Sequence, residues 1–396
     1  MFETLKASIP DPILGLMAAY RQDSNPHKVD LGVGVYKDEA GNTPIMTSVR
    51  RADALHRAAE TSKTYVGPSG DDEFNREIQN LIFGATHPAL TANRIRTVQT
   101  PGGCGALRVA AELINRARPG AAMWVSDPTW ANHVPLLGDA GLEIKTYPYY
   151  DADRQGLAVD GMLTALDQIK AGDVVLLHGC CHNPCGVDLN DQQWDAVAAL
   201  AVQRGFTPFV DLAYLGLGLG LDQDAYGVRK LAASVPELIV ASSCSKNFGL
   251  YRERVGALSI VSSTVAAADI VYGQVQRVAR GIYSMPPNYG AAMVGRILGD
   301  APLHNEWQDE LTEMRVRINA LRAELARSFR AHLNHHRFDF IPQQRGMFSF
   351  LGLSKDQVQR LKQEYSIYMV DSSRINVAGI NTKNIDYFCA AVCAVL

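Results

Sequence analysis

The segment LIVASSCSKNFGLYRERVG, residues 238–256, holds the side chains with the most evident chemistry. An apolar run ends near Ser243 and Ser245, Lys246 follows, and Arg254 comes near the end. A free lysine, with a pKa of about 10.4, is a poor nucleophile, but burial or a neighbouring cation lowers that pKa and allows an imine to form with a carbonyl. Hydroxyls and a guanidinium bind phosphate. The segment predicts an imine-forming lysine beside a phosphate site; a solvated surface lysine is the alternative.

A glycine-rich loop offers a second phosphate-binding element. In QTPGGCGALRVAAELI, residues 99–114, the loop with Gly103 and Cys104 runs directly into a helix. Free backbone N–H groups and the helix dipole make such a helix start suited to an anion. The glycine spacing matches neither a P-loop nor the dinucleotide pattern G-x-G-x-x-G, which disfavours a nicotinamide dehydrogenase.

Polar side chains follow two other apolar runs. Asp211 ends the run in FVDLAY, with Tyr214 three residues later, and Asn183 lies in the tight turn HNPCG. Open α/β sheets bind ligands at the carboxyl ends of their strands, so Asn183 is predicted to face a site. A carboxylate in apolar surroundings needs a cationic partner. A helix cap or an internal salt bridge is the alternative for Asp211.

Three cysteines and two histidines lie close together in LLHGCCHNPCG, residues 176–186. Zinc binds such residues, but structural zinc sites use spaced ligand pairs. Cys180 and Cys181 are adjacent, and neighbours on a strand point to opposite faces. We therefore predict buried thiols at a strand end and no metal site.

Apolar strand-like runs alternate with amphipathic helices from about residue 95 onward. This order predicts an α/β fold with a mostly parallel central sheet sandwiched by helices. At the N-terminus, Asp11 and Pro12 predict the start of a helix over 11–23. A long amphipathic helix follows about residue 301, and short strands and helices come after it. We predict that this region and the N-terminal segment form a second, smaller domain.

The bulk composition argues against several classes of partner. The 396 residues carry a net charge of −3 without a basic block, which disfavours nucleic acid. No run reaches the roughly 18–20 apolar residues that span a bilayer, and the N-terminus lacks signal-peptide features. Seven clustered cysteines fit a reducing compartment better than a disulfide framework. We expect a cytoplasmic protein that binds neither membranes nor nucleic acid.

The predicted groups match one cofactor, pyridoxal phosphate, which has an aldehyde, a phosphate, a pyridine nitrogen and a phenolic oxygen. The chain also resembles the class I, fold-type I aminotransferases, in the branch of the aspartate and aromatic amino acid enzymes. The resemblance covers nearly the whole chain, through DPILGL, LGVGVYKDE, QTPGG.GALR, VSDPTWANH, LLHGCCHNP.G, ASSCSKNFGLYRERVG, RGMFSF and SRINVAG. It implies a large cofactor-binding domain over 44–313 and a small domain formed by 1–43 and 314–396.

The resemblance also implies a role for each predicted residue. Lys246, Asp211 and Tyr214 would be catalytic: the lysine forms the imine and moves a proton, and the aspartate pairs with the pyridine nitrogen. The other implied cofactor contacts are Gly103, Cys104, Trp130, His133, Asn183, Ser243, Ser245, Arg254 and, from the neighbouring subunit, Tyr65. The implied substrate contacts are Gly34, Trp130, Asn183, Arg374 and, from the neighbouring subunit, Arg280. A homodimer with shared active sites follows from this assignment.

The implied activity is ping-pong transamination between an L-amino acid, aromatic or aspartate or both, and a 2-oxo acid such as 2-oxoglutarate or oxaloacetate. Four positions depart from the family pattern. Cys104 and Cys185 replace hydroxyl residues, Leu215 replaces glutamine, and Met285 replaces a polar residue. A specialised enzyme with the same cofactor and scaffold but an altered substrate or reaction is therefore the alternative, and the preferred amino donor stays open. A non-enzymatic metal-binding protein is opposed by Lys246 and the residues around it.

Overall fold

The computed structural model describes residues 1–7 and 12–396. Within them the strands are β1 Val29–Asp30, β2 Ile95–Pro101, β3 Ala122–Asp127, β4 Glu143–Pro148, β5 Tyr150–Asp151, β6 Gly156–Leu157, β7 Val174–His178, β8 Thr207–Leu212, β9 Leu238–Ser243, β10 Val255–Val261, β11 Phe348–Phe350, β12 Ile367–Tyr368 and β13 Arg374–Asn376. The α-helices are α1 Pro12–Gln22, α2 Thr47–Ala59, α3 Asp72–Phe83, α4 Pro88–Thr91, α5 Gly102–Ala117, α6 His133–Gly138, α7 Val159–Leu166, α8 Asp191–Arg204, α9 Leu221–Asp224, α10 Tyr226–Ser234, α11 Val265–Ile282, α12 Asn288–Gly299, α13 Ala301–Leu333, α14 Lys355–Tyr365 and α15 Ile385–Val395. Asp11, the predicted start of the first helix, lies outside the described residues.

The chain divides into two compact units. The larger unit comprises Pro44–Arg317 and Gln344–Gly346, and the smaller comprises Met1–Thr43, Ile318–Gln343 and Met347–Leu396. Helix α13 contributes residues to both units.

The larger unit contains a seven-stranded sheet in the order β2-β10-β9-β8-β7-β3-β4. The five strands from β9 to β4 run parallel, whereas β10 is antiparallel to both of its neighbours. Every residue of β7, β9 and β10 is buried, as expected for strands that are covered on both faces. The predicted mostly parallel sheet flanked by helices is therefore confirmed.

Local signals explain where the connecting helices begin and end. Asn190 and Gln193 form a reciprocal capping box at the start of α8, and Gly205 ends the helix with a left-handed φ of +72°. The chain then enters β8, which carries Asp211 near its carboxyl end. Helix α5 packs against β9 and β10 through a buried face that includes Ala106 and Ala110, whose small side chains permit close approach.

Among its described residues, the smaller unit contains two two-stranded sheets. Strand β1 pairs in parallel with β12, and β11 pairs antiparallel with β13, which aligns Phe350 with Arg374. The fully buried Arg322 donates hydrogen bonds to the carbonyl oxygens of Ile341 and Phe348 at 3.3 and 2.6 Å. In the part of the chain that the structure describes, none of the helices combines the length and the apolar character needed to cross a bilayer.

Candidate active site

Lys246 lies in the connection between β9 and β10. Its Nζ atom is 4.9 Å from the centroid of the Tyr214 ring. Burial lowers the pKa of Lys246 below its ordinary value and the charge of Arg254 acts in the same direction, while Asp211 and Cys104 oppose the shift. The net shift increases the fraction of neutral amine, which is the nucleophilic form.

Asp211 occupies a buried position beside two histidines. The parallel register of β7 and β8 places it next to His178. Its Oδ2 atom is 3.0 Å from Nε2 of His133, and both side chains are buried. Burial disfavours the charged carboxylate, but the hydrogen bond from His133 and the nearby charges, Lys246 among them, leave the pKa of Asp211 below its ordinary value. An ionised carboxylate in this position is suited to pairing with a protonated ring nitrogen.

Two glycines let polar side chains approach the start of α5 closely. Gly102 has a φ of +71°, and a Cβ there would lie 2.5 Å from Nη2 of Arg254. A Cβ on Gly103 would lie 3.2 Å from the Cβ atom of Ser243, whose hydroxyl is 3.0 Å from Oγ of Ser245. The helix N-terminus, two hydroxyls and a guanidinium thus lie close together, and groups of these kinds bind phosphate. We call these five residues the anion cradle.

Cys104 follows the two glycines as the third residue of α5 and is partly buried. Burial raises the pKa of its thiol, and the charge of Arg254 only partly opposes this effect. The thiol is therefore neutral near pH 7. It offers an anion a weak S–H donor where serine or threonine would offer a stronger O–H donor.

Three further predicted residues follow strands of the same sheet. Asn183 lies in the turn after β7 and Tyr214 lies after β8, and both are buried. Trp130 follows β3, and its ring meets the His133 ring edge-on with 5.2 Å between centroids. The carboxyl ends of parallel strands meet at one edge of a sheet. The structure therefore brings these residues to the same edge as Asp211 and Lys246.

In the smaller unit, the buried Arg374 begins β13. Its Nη2 atom donates to the carbonyl oxygen of Gly32 at 2.6 Å, and its guanidinium carbon is 4.3 Å from the centroid of the Phe348 ring. A Cβ on Gly34 would lie 2.8 Å from Cζ of Phe348. These contacts fix the plane of a guanidinium whose two-pronged geometry suits a carboxylate.

Tyr65 and Arg280 are exposed on the single chain. The Tyr65 side chain is 88% exposed. Arg280 lies in the last turn of α11 and donates a hydrogen bond to the hydroxyl of Ser284. Their predicted roles at the site of a neighbouring subunit stay predictions.

Residues 26–392 match the family described as aminotransferase class I and II. The chain belongs to this family. It is 47% identical to the aspartate aminotransferase of Haemophilus influenzae over 100% of both chains, and 46% identical to the aromatic-amino-acid aminotransferase of Pseudomonas aeruginosa over 98% of both. The crystal structure of the aromatic-amino-acid aminotransferase from Burkholderia pseudomallei superposes with a TM-score of 0.98 at 43% identity, covering 100% of this chain and 99% of that one. The resemblance drawn from the motifs is confirmed: this protein is an enzyme that transfers amino groups.

One sequence argument about this aminotransferase is wrong. Strand β7 ends at His178, so Cys180 and Cys181 do not alternate along a strand. Cys181 has a φ of +52°, and the two Sγ atoms lie within 4.8 Å of each other and of a carboxylate oxygen of Asp224. The two oxygens of that carboxylate accept backbone N–H bonds from Gly216, Gly218 and Leu219. These bonds give Asp224 a structural role, and the absence of metal at the cysteines stays a prediction.

A buried polar network that was not predicted from the sequence lies behind Asp211. Thr129 Oγ1 is 2.8 Å from Nδ1 of His133 and 3.1 Å from Nε2 of His178. The position of His178 could have been predicted, because it ends β7, the strand that precedes β8 in the sequence. The position of Thr129 could not, because its hydrogen bond to His178 joins residues 49 positions apart.

Asp188 is a further residue near the site that was not predicted from the sequence. Its carboxylate accepts hydrogen bonds from the backbone N–H groups of Cys181 and His182 at 2.7 and 2.8 Å. Burial raises the pKa of Asp188 to about 6, against an ordinary value of 3.8. The carboxylate holds together the turn that carries Asn183.

Proposed function

We propose that this aminotransferase uses pyridoxal phosphate to move an amino group from an L-amino acid to a 2-oxo acid in two half-reactions. The observation that carries the proposal is the placement of Lys246, with its lowered pKa, beside the ionised Asp211 and the anion cradle. The Burkholderia pseudomallei relative is described as covalently bound to pyridoxal phosphate, which supports the choice of cofactor.

The chemical groups around Lys246 fit each polar part of this cofactor. The anion cradle would hold the phosphate, and Asp211 would pair with the protonated ring nitrogen. Asn183 and Tyr214 would donate hydrogen bonds to the phenolic oxygen. When bound, pyridoxal phosphate supplies a reactive aldehyde and a ring that accepts electrons from the substrate.

The chain supplies the proton transfers and the orientation of the substrate. The neutral amine of Lys246 would accept the proton from the substrate Cα. Later in the same half-reaction it would donate that proton to the carbon that carried the aldehyde. Arg374 would bind the substrate α-carboxylate, with its plane fixed by Gly32 and Phe348. Trp130, which already packs against His133, would cover one face of the reacting groups and exclude water.

We infer that both aromatic and dicarboxylic amino acids are substrates. The identity to an aspartate aminotransferase, 47%, and to an aromatic-amino-acid aminotransferase, 46%, is nearly equal. Arg280 would bind a side-chain carboxylate, whereas Met285 offers an apolar, flexible surface to an aromatic ring. Because Tyr65 and Arg280 are exposed on the single chain, we propose a homodimer in which each reaches the site of its neighbour, acting in the cytoplasm.

A visible absorption spectrum of the purified protein with added pyridoxal phosphate tests this function. We expect a band from the lysine-bound cofactor that disappears on adding L-aspartate or L-tyrosine and returns with 2-oxoglutarate. K246A should lose the response, and K355A, which changes an exposed lysine, should keep it. No band in the wild type would overturn the proposal. A band that responds to neither amino acid would favour a specialised enzyme with the same cofactor.

A further inference from the structure

Cys185 forms a buried pair with His182 in the turn after β7. Both side chains are completely buried, and the cysteine Sγ atom is 3.1 Å from Nδ1 of the imidazole. Cysteine–histidine pairs serve as nucleophiles in many enzymes, but such a thiol must reach a substrate. Complete burial rules out that use and points to a role within the protein.

The other nitrogen of His182 reveals which atom carries its proton. Nε2 is 3.0 Å from the hydroxyl of Ser126, and that hydroxyl is 2.9 Å from the carbonyl oxygen of Pro128. A carbonyl oxygen can only accept, and a hydroxyl has one proton to donate. Ser126 therefore donates to Pro128 and accepts from Nε2–H of His182. Burial lowers the pKa of His182 far below its ordinary value, so the ring is neutral and Nδ1 carries a lone pair.

We propose that Cys185 is a positioning residue whose S–H donates to Nδ1 of His182 and fixes the tautomer and orientation of that ring. A thiol is a weak donor, but it is the partner placed against Nδ1 in this turn. Without a donor at position 185, a buried ring nitrogen would be left unpaired, which is costly.

The orientation of His182 is linked to Asp211 through a contact between two rings and then through hydrogen bonds. The His182 ring contacts the His178 ring with 4.0 Å between centroids. The ionised Asp211 requires a donor, so His133 presents Nε2–H to it. Thr129 Oγ1 joins the two other rings, at 2.8 Å from Nδ1 of His133 and 3.1 Å from Nε2 of His178. Rotation of His182 would disturb its contact with His178, which Thr129 links to His133.

The effect on the cofactor rests on the proposed function, because Asp211 acts there as the partner of the ring nitrogen. The tautomer of His182 does not rest on it. The test therefore has one arm that needs no bound cofactor and one arm that does.

The first arm is a long-range ¹H–¹⁵N spectrum of the full-length protein, labelled at histidine, with and without added pyridoxal phosphate. We expect a neutral His182 protonated at Nε2, with a hydrogen-bonded, unprotonated Nδ1 in the wild type, C185S and C185T. In C185A the Nδ1 resonance should lose the shift that a hydrogen bond produces. Protonation at Nδ1 in the wild type, or an unchanged His182 in C185A, would overturn the proposal.

The second arm compares the same variants with the cofactor bound. C185A should shift the pH titration of the visible band and reduce kcat/KM about twofold to tenfold, as expected for one lost neutral hydrogen bond, while C185S and C185T should restore both. An unchanged titration in C185A would overturn the link to Asp211.

If C185A does not fold, the Raman difference spectrum of the wild type against C185S tests the hydrogen bond through the S–H stretching band. A band at the frequency of a free thiol would contradict the hydrogen bond.

Discussion

His133 Nε2 lies 3.0 Å from Asp211 Oδ2, and both residues are buried. Removing the imidazole in H133A takes a donor away from a buried charge, which costs about 1.5–3 kcal/mol. The pKa of Asp211 should rise, and kcat/KM should fall by about 10-fold to 100-fold in steady-state assays with either amino acid. H133Q, which retains an N–H donor, should recover part of the loss, and the exposed H335A should match the wild type. Equal activity of H133A and the wild type would show that the pair has no part in the reaction.

Gly34 is closely packed against the ring that supports Arg374. In G34A the new Cβ would lie 2.8 Å from Cζ of Phe348, so the ring must move and the guanidinium above it must move too. We expect KM to rise for every amino acid substrate, because each carries the α-carboxylate that Arg374 is proposed to bind. The value of kcat should change less, because the residues proposed to transfer protons are unchanged. G15A is the matched control, since nothing lies within 4 Å of a Cβ at that position. A G34A enzyme with an unchanged KM would contradict a carboxylate-binding role for Arg374.

The thiol of Cys104 lies at the helix start that forms part of the anion cradle. C104S replaces a weak donor with a stronger one, and a hydrogen bond to a charged group contributes about 1.5–3 kcal/mol. Titration of the cofactor-free protein should show pyridoxal phosphate binding more tightly, by at most about 100-fold. C393S, which changes a partly buried thiol on α15, should leave the affinity unchanged. Weaker binding in C104S would mean that the thiol does not donate to the phosphate.

Asp188 should make the stability of the fold depend on pH. Its folded-state pKa of about 6 exceeds the ordinary 3.8, so the folded protein binds the proton more tightly than the unfolded chain does. The free energy of unfolding should therefore decrease by up to about 3 kcal/mol as the pH rises from about 4 to about 6, and change no further above that range. Urea unfolding between pH 4 and pH 7 should show this decrease in the wild type and in D371N, an exposed control, but not in D188N. Parallel curves for the wild type and D188N would refute the assignment.

Met285 is the departure from the family pattern that we propose affects substrate choice. It is partly buried and follows Ser284, whose hydroxyl accepts a hydrogen bond from Arg280. We expect M285N to shift kcat/KM from L-tyrosine toward L-aspartate, because a polar amide replaces an apolar contact surface. M285L, which remains apolar, should keep the wild-type ratio. A ratio that is the same in M285N and the wild type would remove Met285 from the specificity determinants.

Patterns within short segments predicted a large part of this molecule. The alternation of apolar runs and amphipathic helices predicted the sheet. The polar residues that follow apolar runs predicted that Asp211 and Asn183 lie at the carboxyl ends of strands. Contacts between distant residues could not be predicted in this way, as the bond between Thr129 and His178 shows. A left-handed φ on a non-glycine residue was equally invisible, which is why the adjacent Cys180 and Cys181 were wrongly expected to point apart.

Because β10 runs in the reverse direction, one short connection, between β9 and β10, carries two residues of the candidate site. Strand β10 begins where its neighbours end, because Gly256 pairs with Ser243 and Val255 pairs with Pro101. Arg254, just before the start of β10, therefore reaches the edge where Lys246 lies after the end of β9. Lys246 and Arg254 belong to the same hairpin, so the proposed nucleophile and the proposed phosphate contact can be transferred together with their spacing intact. Asp211 belongs to a separate strand, β8. A sheet that received this hairpin would therefore need an equivalent carboxylate of its own.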